Sequence, residues 1–178
     1  QLDRECVPAL LQQPDTDRVD HVGPVRMIAA SMQNKDGTAR FAYMESVDGI
    51  HWIRPHRVLD EPGSINFGSS VIDEGPNFAD PAQRFKLAWW ANGGLNVAVS
   101  ADGLGWSMFR PYPVLRHNHD INNIFWDDVR NRYLATLSVY TTGPTWTGQR
   151  RTTMMSVSED LVNWQKPWYF ITAPSPAL

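Results

Sequence analysis

Cysteine is almost missing from this chain: Cys6 is the only one among 178 residues, which excludes an intrachain disulfide and a cysteine-based metal site. Long apolar runs are also missing, since no segment approaches the ~20 residues of a membrane-spanning helix, and the start carries no basic-then-apolar leader. There is no basic excess. Sixteen Lys and Arg stand against nineteen Asp and Glu, for a formal charge of −3 and a pI near 5.9, whereas a nucleic-acid partner needs a basic stripe. No stretch of useful length has helical periodicity, so a helical solenoid is excluded. The five histidines are scattered. Neither a Gly-rich phosphate loop nor a Ser/His/Asp arrangement is visible, so no metal and no cofactor is expected. Compartment and oligomeric state leave no mark in the sequence.

Aromatics, by contrast, are abundant, with eight tryptophans and five tyrosines in a composition that is 42% hydrophobic and 20% charged. Such enrichment suits a β-rich core or a sugar-binding surface, because a flat ring covers the apolar face of a pyranose. A chain of this length buries roughly 70% of the surface it would expose unfolded.

An internal repeat organises the sequence. The turns Ser46-Val47-Asp48-Gly49-Ile50-His51-Trp52, Ser100-Ala101-Asp102-Gly103-Leu104-Gly105-Trp106 and Ser158-Glu159-Asp160-Leu161-Val162-Asn163-Trp164 share one pattern, at spacings of 54 and 58 residues. Before each comes a short apolar run, a turn and a longer β-patterned run. Phe41 and Tyr43 fall on one strand face, and Asn34-Lys35-Asp36-Gly37 reads as a hairpin turn. That period fits four-stranded propeller blades. The expected division is 1–24 as an irregular segment or remnant of a first blade, with a strand forming near His21-Val22, then blades at about 25–60, 61–116 and 117–172. The chain begins with Gln1 and stops in a loop-like Thr172-Ala173-Pro174-Ser175-Pro176, so the propeller is expected to be incomplete at the C-terminus.

In each turn the serine and aspartate can accept hydrogen bonds from backbone N–H groups one or two residues on. Gly49 and Gly103 suit a backbone with φ above zero. Leu161 breaks this rule, and the third turn is expected to be different or strained. The tryptophans are expected to cover the gaps between blades as buried aromatics.

These turns resemble the Ser-x-Asp-Gly-x-x-Trp turns of five-bladed propeller glycoside hydrolases related to families 43 and 32. They are also similar to the sialidase Asp-box, which has one more residue between its aspartate and glycine. Asp120-x-Asn122-Asn123-x-Phe125-Trp126-Asp127 followed by Arg132-Tyr133 resembles the first two strands of a blade in relatives of those hydrolases. The resemblance covers roughly residues 25–170. It implies an all-β propeller of four-stranded blades, three of a probable five, and a carbohydrate substrate or ligand.

The first strand of each blade lines a propeller's channel, so polar residues where those strands start are the ones that meet a ligand. In the third blade these are His119, Asp120, Asn122 and Asn123, and in the second Asn66. Glycoside hydrolysis needs two carboxyl groups, about 5–5.5 Å apart for retention and 6.5–9.5 Å for inversion. Asp120 is the first candidate, and the resemblance implies a role as base, nucleophile or stabiliser. Asp20 is the second, with the alternative that the partner lies outside this chain. Arg150 and Arg151, at the start of a strand after the 143–148 loop, can bind hydroxyls or a sugar carboxylate. Trp146 and Trp89 are the stacking candidates. Asp73 and Asp127 read as turn caps at strand ends. The rival reading is a non-catalytic carbohydrate-binding or interaction propeller, which the absence of a carboxylate in 66–70 favours.

Overall fold

The computed structural model describes residues 6–12, 25–31, 40–59, 68–144 and 146–170. Asp36-Gly37, His21-Val22, Asp20 and Asn66 lie outside them. The first sheet comprises β1 (Cys6–Gln12), β2 (Val25–Ser31), β3 (Arg40–Ser46) and β4 (Ile53–Arg57), each antiparallel to the next. The second comprises β5 (Ser69–Asp73), β6 (Phe85–Ala91), β7 (Gly94–Ser100) and an outer strand broken into β8 (Ser107–Met108) and β9 (Leu115–Arg116), both paired with β7. The third comprises β10 (Asn122–Asp127), β11 (Arg132–Gly143), β12 (Trp146–Ser158) and β13 (Trp168–Tyr169). A single helical turn at Pro81–Gln83 interrupts the β5–β6 connection.

The first blade therefore starts at Cys6, within the segment for which the sequence showed no usable period. β1 carries Cys6, Val7, Ala9, Leu10 and Leu11 around Pro8, an apolar run too short and unpatterned to announce itself. Its pairing with β2 is unbroken from Cys6↔Ser31 to Leu10↔Met27.

The innermost strands run parallel to one another. β1 meets β5 through Leu11↔Val71 and Gln12↔Ile72. β5 meets β10 where the Ile124 N–H donates to Ser70 Oγ at 2.8 Å. At Gly68, φ is +73°, and a Cβ there would sit 2.7 Å from the Asn122 nitrogen. The three sheets consequently fan about a common line, with the beginnings of β1, β5 and β10 at one end, here called the mouth.

The middle sheet is covered on both faces, which explains why Phe-Lys-Leu-Ala-Trp-Trp-Ala in β6 is almost continuously apolar instead of alternating. Val71, Leu87, Trp89 and Ala98 pack with Phe41, Tyr43, Val58 and Leu59 of the first sheet. Ile72, Ala88, Leu95 and Val97 point the other way, onto Ile124, Tyr133, Ala135, Leu137 and Leu161 of the third. The second interface also holds a charged group. Lys86 is 2% exposed, donates from Nζ to the Gln83 carbonyl at 2.7 Å, stands 3.1 Å from Glu74 Oε1 and lies 3.7 Å from the Phe78 ring centre. The Tyr133 hydroxyl, from the third sheet, donates to the same Glu74 oxygen. Burial and then that hydrogen bond push the Tyr133 hydroxyl far up, while burial pulls Lys86 down against the attraction of Glu74.

The three repeated turns close the third strand of each sheet, at the end away from the mouth, and share one geometry. Ser46, Ser100 and Ser158 each donate from Oγ to the aspartate two residues on, at 3.0 Å. Those aspartates accept from the next two backbone N–H groups but one, at 2.7–2.9 Å. The indole N–H of Trp52, Trp106 and Trp164 donates back to the carbonyl of residue 49, 103 or 161. The tryptophans are half-buried: Trp106 and Trp164 flank the two cores. The expectation of full burial fails because each indole is turned to satisfy its own turn. Leu161 takes the same left-handed conformation as its glycine counterparts, with φ of 62° against 72° and 78°, while its side chain is buried in the second core. So the third turn keeps the aspartate and indole bonds of the other two without the bond that the Gly49 and Gly103 N–H groups make to the serine Oγ, and it carries strain of roughly 1–2 kcal/mol, offset by about 1.5–3 kcal/mol from burying a leucine.

Two outcomes follow from these turns. Leu161→Ala keeps the strain and loses the packing, so it is expected to cost about 2–4 kcal/mol in urea denaturation. Leu161→Gly is expected to cost less than Leu161→Ala, the reverse of the usual order, because it relieves the φ; a larger cost for glycine would show that the turn is unstrained. The second concerns acid. The Asn163 and Val162 N–H groups hold the Asp160 carboxyl at about 2 against an ordinary 3.8. A depressed folded value means that its stabilisation is whole above pH 3.8 and is lost as pH falls towards 2. Carbon-13 titration of the Asp160 carboxyl is expected to show a midpoint near 2, and a midpoint near 3.8 would show that the N–H bonds are absent in solution.

Candidate functional site

The mouth of the third blade is built by a hairpin longer than its neighbours. β10 starts opposite Leu137, yet β11 runs on to Gly143 and β12 begins at Trp146. The six residues Ser138–Gly143 therefore project beyond the inner strand by roughly 20 Å at ~3.3 Å per residue. Against this projection the segment leading into β10 is strapped by backbone mimicry: Asn118 Nδ2 donates to the Tyr140 carbonyl at 3.0 Å, and the Tyr140 N–H donates to Asn118 Oδ1 at 2.9 Å. The Ser138 N–H closes the strap on the Ile121 carbonyl at 2.8 Å.

Two buried histidines follow from that strap. His117 lies 3.1 Å from the Ser138 carbonyl through Nδ1 and 3.2 Å from Asn122 Nδ2 through Nε2. A carbonyl only accepts and an amide NH2 only donates, so the ring proton is on Nδ1; burial lowers the basicity of this ring. Asn122 is wholly buried, and its Oδ1 has no hydrogen-bond partner among the described residues.

His119 is buried edge-on to the Tyr140 ring, centre to centre at 4.2 Å. Its Nδ1 faces Ser138 Oγ at 2.9 Å and Asp120 Oδ1 at 2.6 Å, and its Nε2 faces an Arg151 guanidinium nitrogen at 3.0 Å. The Ser138 contact has hydrogen-bond geometry. The Asp120 contact is close but off the line, and that carboxylate oxygen is buried with no hydrogen bond. The Asp120 side chain is 28% exposed, so the group reaches solvent at the mouth.

The structure thus brings Asp120, His119 and Arg151 together, whereas Asn122, expected to meet a ligand, is wholly buried against His117 because its side chain points inward from β10; Asn123 follows it in β10 on the opposite face. Arg150 and Arg151 stand within β12 rather than at its start, because the connection between β11 and β12 is only residues 144 and 145. Arg151 pairs across to Tyr140 and Arg150 to Thr141. Trp146 folds back inside the hairpin. Its ring lies over Gly143, its indole N–H reaches the Thr141 carbonyl at 3.4 Å, and the Arg150 guanidinium sits 5.7 Å from the ring centre. Trp89 is no stacking platform: it is 1% exposed and packs edge-on against Phe41 at 5.8 Å in the first core. It reads as surface aromatic in sequence because its strand is apolar on both faces. Asp73 and Asp127 behave as strand-end caps, Asp73 holding Arg84 through two contacts of 2.6 Å and accepting from the Gly75 N–H, Asp127 accepting from the Arg130 N–H. His117 and Ser138 were missed; only their register against β10 reveals them.

A surface concavity of about 310 Å³, lined by Arg132, Val157, Ser158, Glu159, Asp160, Asn163 and Gln165, lies at the closing turn of the third sheet, away from the mouth. Among the described residues no cluster of His, Cys, Asp and Glu is arranged to hold a metal ion, and no helix is long and apolar enough to cross a membrane.

These three fanned sheets define a β-propeller, of which the chain forms part. The same arrangement is found in solved glycoside hydrolases with five-bladed propellers. The chain is similar to a fructofuranosidase from Schwanniomyces occidentalis complexed with fructosylnystose (TM-score 0.59, 15% identity, 82% of this chain and 31% of that one). It is also similar to a sucrose-6-phosphate hydrolase from Lactobacillus gasseri (0.61, 12%, 89% and 32%) and to a glycosyl hydrolase from Bacteroides ovatus (0.63, 10%, 91% and 51%). It therefore spans between a third and a half of the length of these proteins. No family model matches the sequence, and no curated protein matches it significantly.

Proposed function

We propose that this chain belongs to a glycoside hydrolase and supplies one of its two carboxyl groups, Asp120, at the mouth of the propeller channel. The observation that carries the proposal is the placement of Asp120: it precedes the inner strand of the third blade, reaches solvent, and keeps a buried oxygen free of hydrogen bonds. A carboxylate whose only structural duty was capping would have its oxygens taken by backbone N–H groups, as Asp48, Asp102 and Asp160 do. The solved structures that share the fold, and whose names are those of glycosidases, support the same reading. The ligand is a carbohydrate. His119 stands against the carboxylate and Arg151 against His119, and Trp146 with Arg150 lies further out on the hairpin.

The partner carboxyl is sought in the first blade, with the alternative that it lies outside this chain. β1 begins at the mouth and β2 begins at the far end. In chain order Asp3 and Glu5 precede β1 and Asp20 follows it, and all three are candidates for the partner. A specific observation favours the rival reading of a binding propeller: β5 opens on Ser69-Ser70, with no carboxylate.

On a panel of aryl glycosides, Asp120→Asn is expected to lower kcat/KM by about 10²–10⁴-fold with little change in melting temperature. Unchanged turnover would remove Asp120 from the reaction. Sugar binding by the unaltered protein without any hydrolysis would favour the binding propeller. Asp3→Asn, Glu5→Gln and Asp20→Asn, assayed in the same way, identify the partner.

A further inference from the structure

We infer that Arg151 and His119 act as a pair of positioning residues for Asp120, with Arg151 fixing the ring proton of His119 on Nδ1. The argument compares the three states of the imidazole. A guanidinium has five N–H donors and no acceptor, so the nitrogen 3.0 Å from Arg151 must present a lone pair. With the proton on Nε2 instead, two donors would face one another there. At the other edge a bare Nδ1 would stand 2.6 Å from the Asp120 carboxylate, two acceptors in contact. With both nitrogens protonated, the Asp120 contact is satisfied but the Arg151 contact becomes a clash of two cations. Only the neutral ring with Nδ1–H satisfies both edges. Ser138 Oγ, at 2.9 Å, accommodates either tautomer because a hydroxyl donates or accepts, so it does not decide the matter. The two charged groups do.

The consequence is a polarised chain from guanidinium through neutral imidazole to carboxylate, in which Nδ1–H is hydrogen-bonded to Ser138 Oγ and its positive end stands 2.6 Å from Oδ1 of Asp120. The carboxylate is held by that charge–dipole contact, and its oxygens keep their lone pairs free. Tyr140, edge-on at 4.2 Å, and the burial of the ring keep the imidazole from rotating away. Arg151 itself is exposed on β12, so its hold on His119 is what keeps it at the mouth. The other buried histidine among the described residues, His117, uses the Ser138 backbone carbonyl for this purpose. His119 uses an arginine exposed on β12, which shares control of its tautomer with Asp120.

The functional consequence rests on the reading of Asp120 as the reacting carboxylate, but the position of the ring proton does not, and it is measured without substrate. Long-range proton–nitrogen correlation spectra of histidine-labelled protein, with His119 assigned from a His119→Gln sample, are expected to show Nδ1 protonated and Nε2 bare. In Arg151→Met, where Asp120 alone still favours it, the Nδ1–H fraction is expected to fall as Nε2 loses its donor. In Arg151→Lys, which still donates, the Nδ1–H form is expected to stay the major one. The His117 ring, anchored elsewhere, reports in the same spectra that the fold is intact. A bare Nδ1 on His119 in the unaltered protein overturns the proposal, and so does an unchanged tautomer in Arg151→Met. On a glycoside that the unaltered protein cleaves, Arg151→Met is expected to lower kcat by roughly 10–100-fold with KM changed less than about twofold, as for partners that act through a second residue. Loss of binding with kcat retained would make Arg151 a ligand contact and overturn the positioning role.

Discussion

The close approach of inner strands is the constraint on which the rest depends. Gly68 and Asn122 come so near that even a methyl group between them would meet backbone on three atoms, at 2.7, 2.9 and 3.0 Å. Two strands that touch this closely at one end, each carrying a twisted antiparallel sheet behind it, diverge outwards like the leaves of a book. The Ser70 hydroxyl on the Ile124 N–H and the short parallel bridge of β1 to β5 hold the spine of that book. Everything that concerns a ligand sits at one end of the spine, and the turns that terminate the sheets sit at the other.

Packing energy is distributed accordingly. The second sheet supplies alternate residues to two cores and so has no polar face to spare, which is why a lysine in it needs its own arrangement. Lys86, Glu74 and Tyr133 form that arrangement, and it crosses from one blade to the next. A buried ion pair seldom adds stability over an apolar replacement, but breaking one is costly. Here its effect is to bring Tyr133 to a definite place on the second blade, which sets the register of β11 and hence where the long hairpin overhangs the mouth.

Much of this was legible in the residues. The repeated Ser-x-Asp turns announced the blades because their hydrogen bonds are local: every donor and acceptor lies within three residues along the chain, so sequence spacing and spatial geometry coincide. His119 and Asp120 were legible as a polar pair ahead of an apolar strand. The remainder depended on contacts between distant segments. That Trp89 is core cannot be read from a strand buried on both faces, since its period is lost. That Arg151 belongs to the site and Arg150 to the Trp146 stack requires the register of a thirteen-residue strand against its partner. β1 was hidden for a plainer reason: a seven-residue strand interrupted by proline, with no polar–apolar alternation, has no local signature.

The candidate chemistry follows from the spine. Asp120 is at the mouth because β10 starts there, and β10 starts there because Asn122 is wedged against Gly68. Replacing that glycine by alanine tests the arrangement most directly, with stability and hydrogen exchange at Ile124 as the readouts. The account predicts a loss of about 2–4 kcal/mol, from overpacking against backbone together with a strained φ, and rapid exchange of the Ile124 amide as it leaves Ser70. A Gly68→Ala protein that loses less than about 1 kcal/mol and keeps Ile124 protected would contradict it.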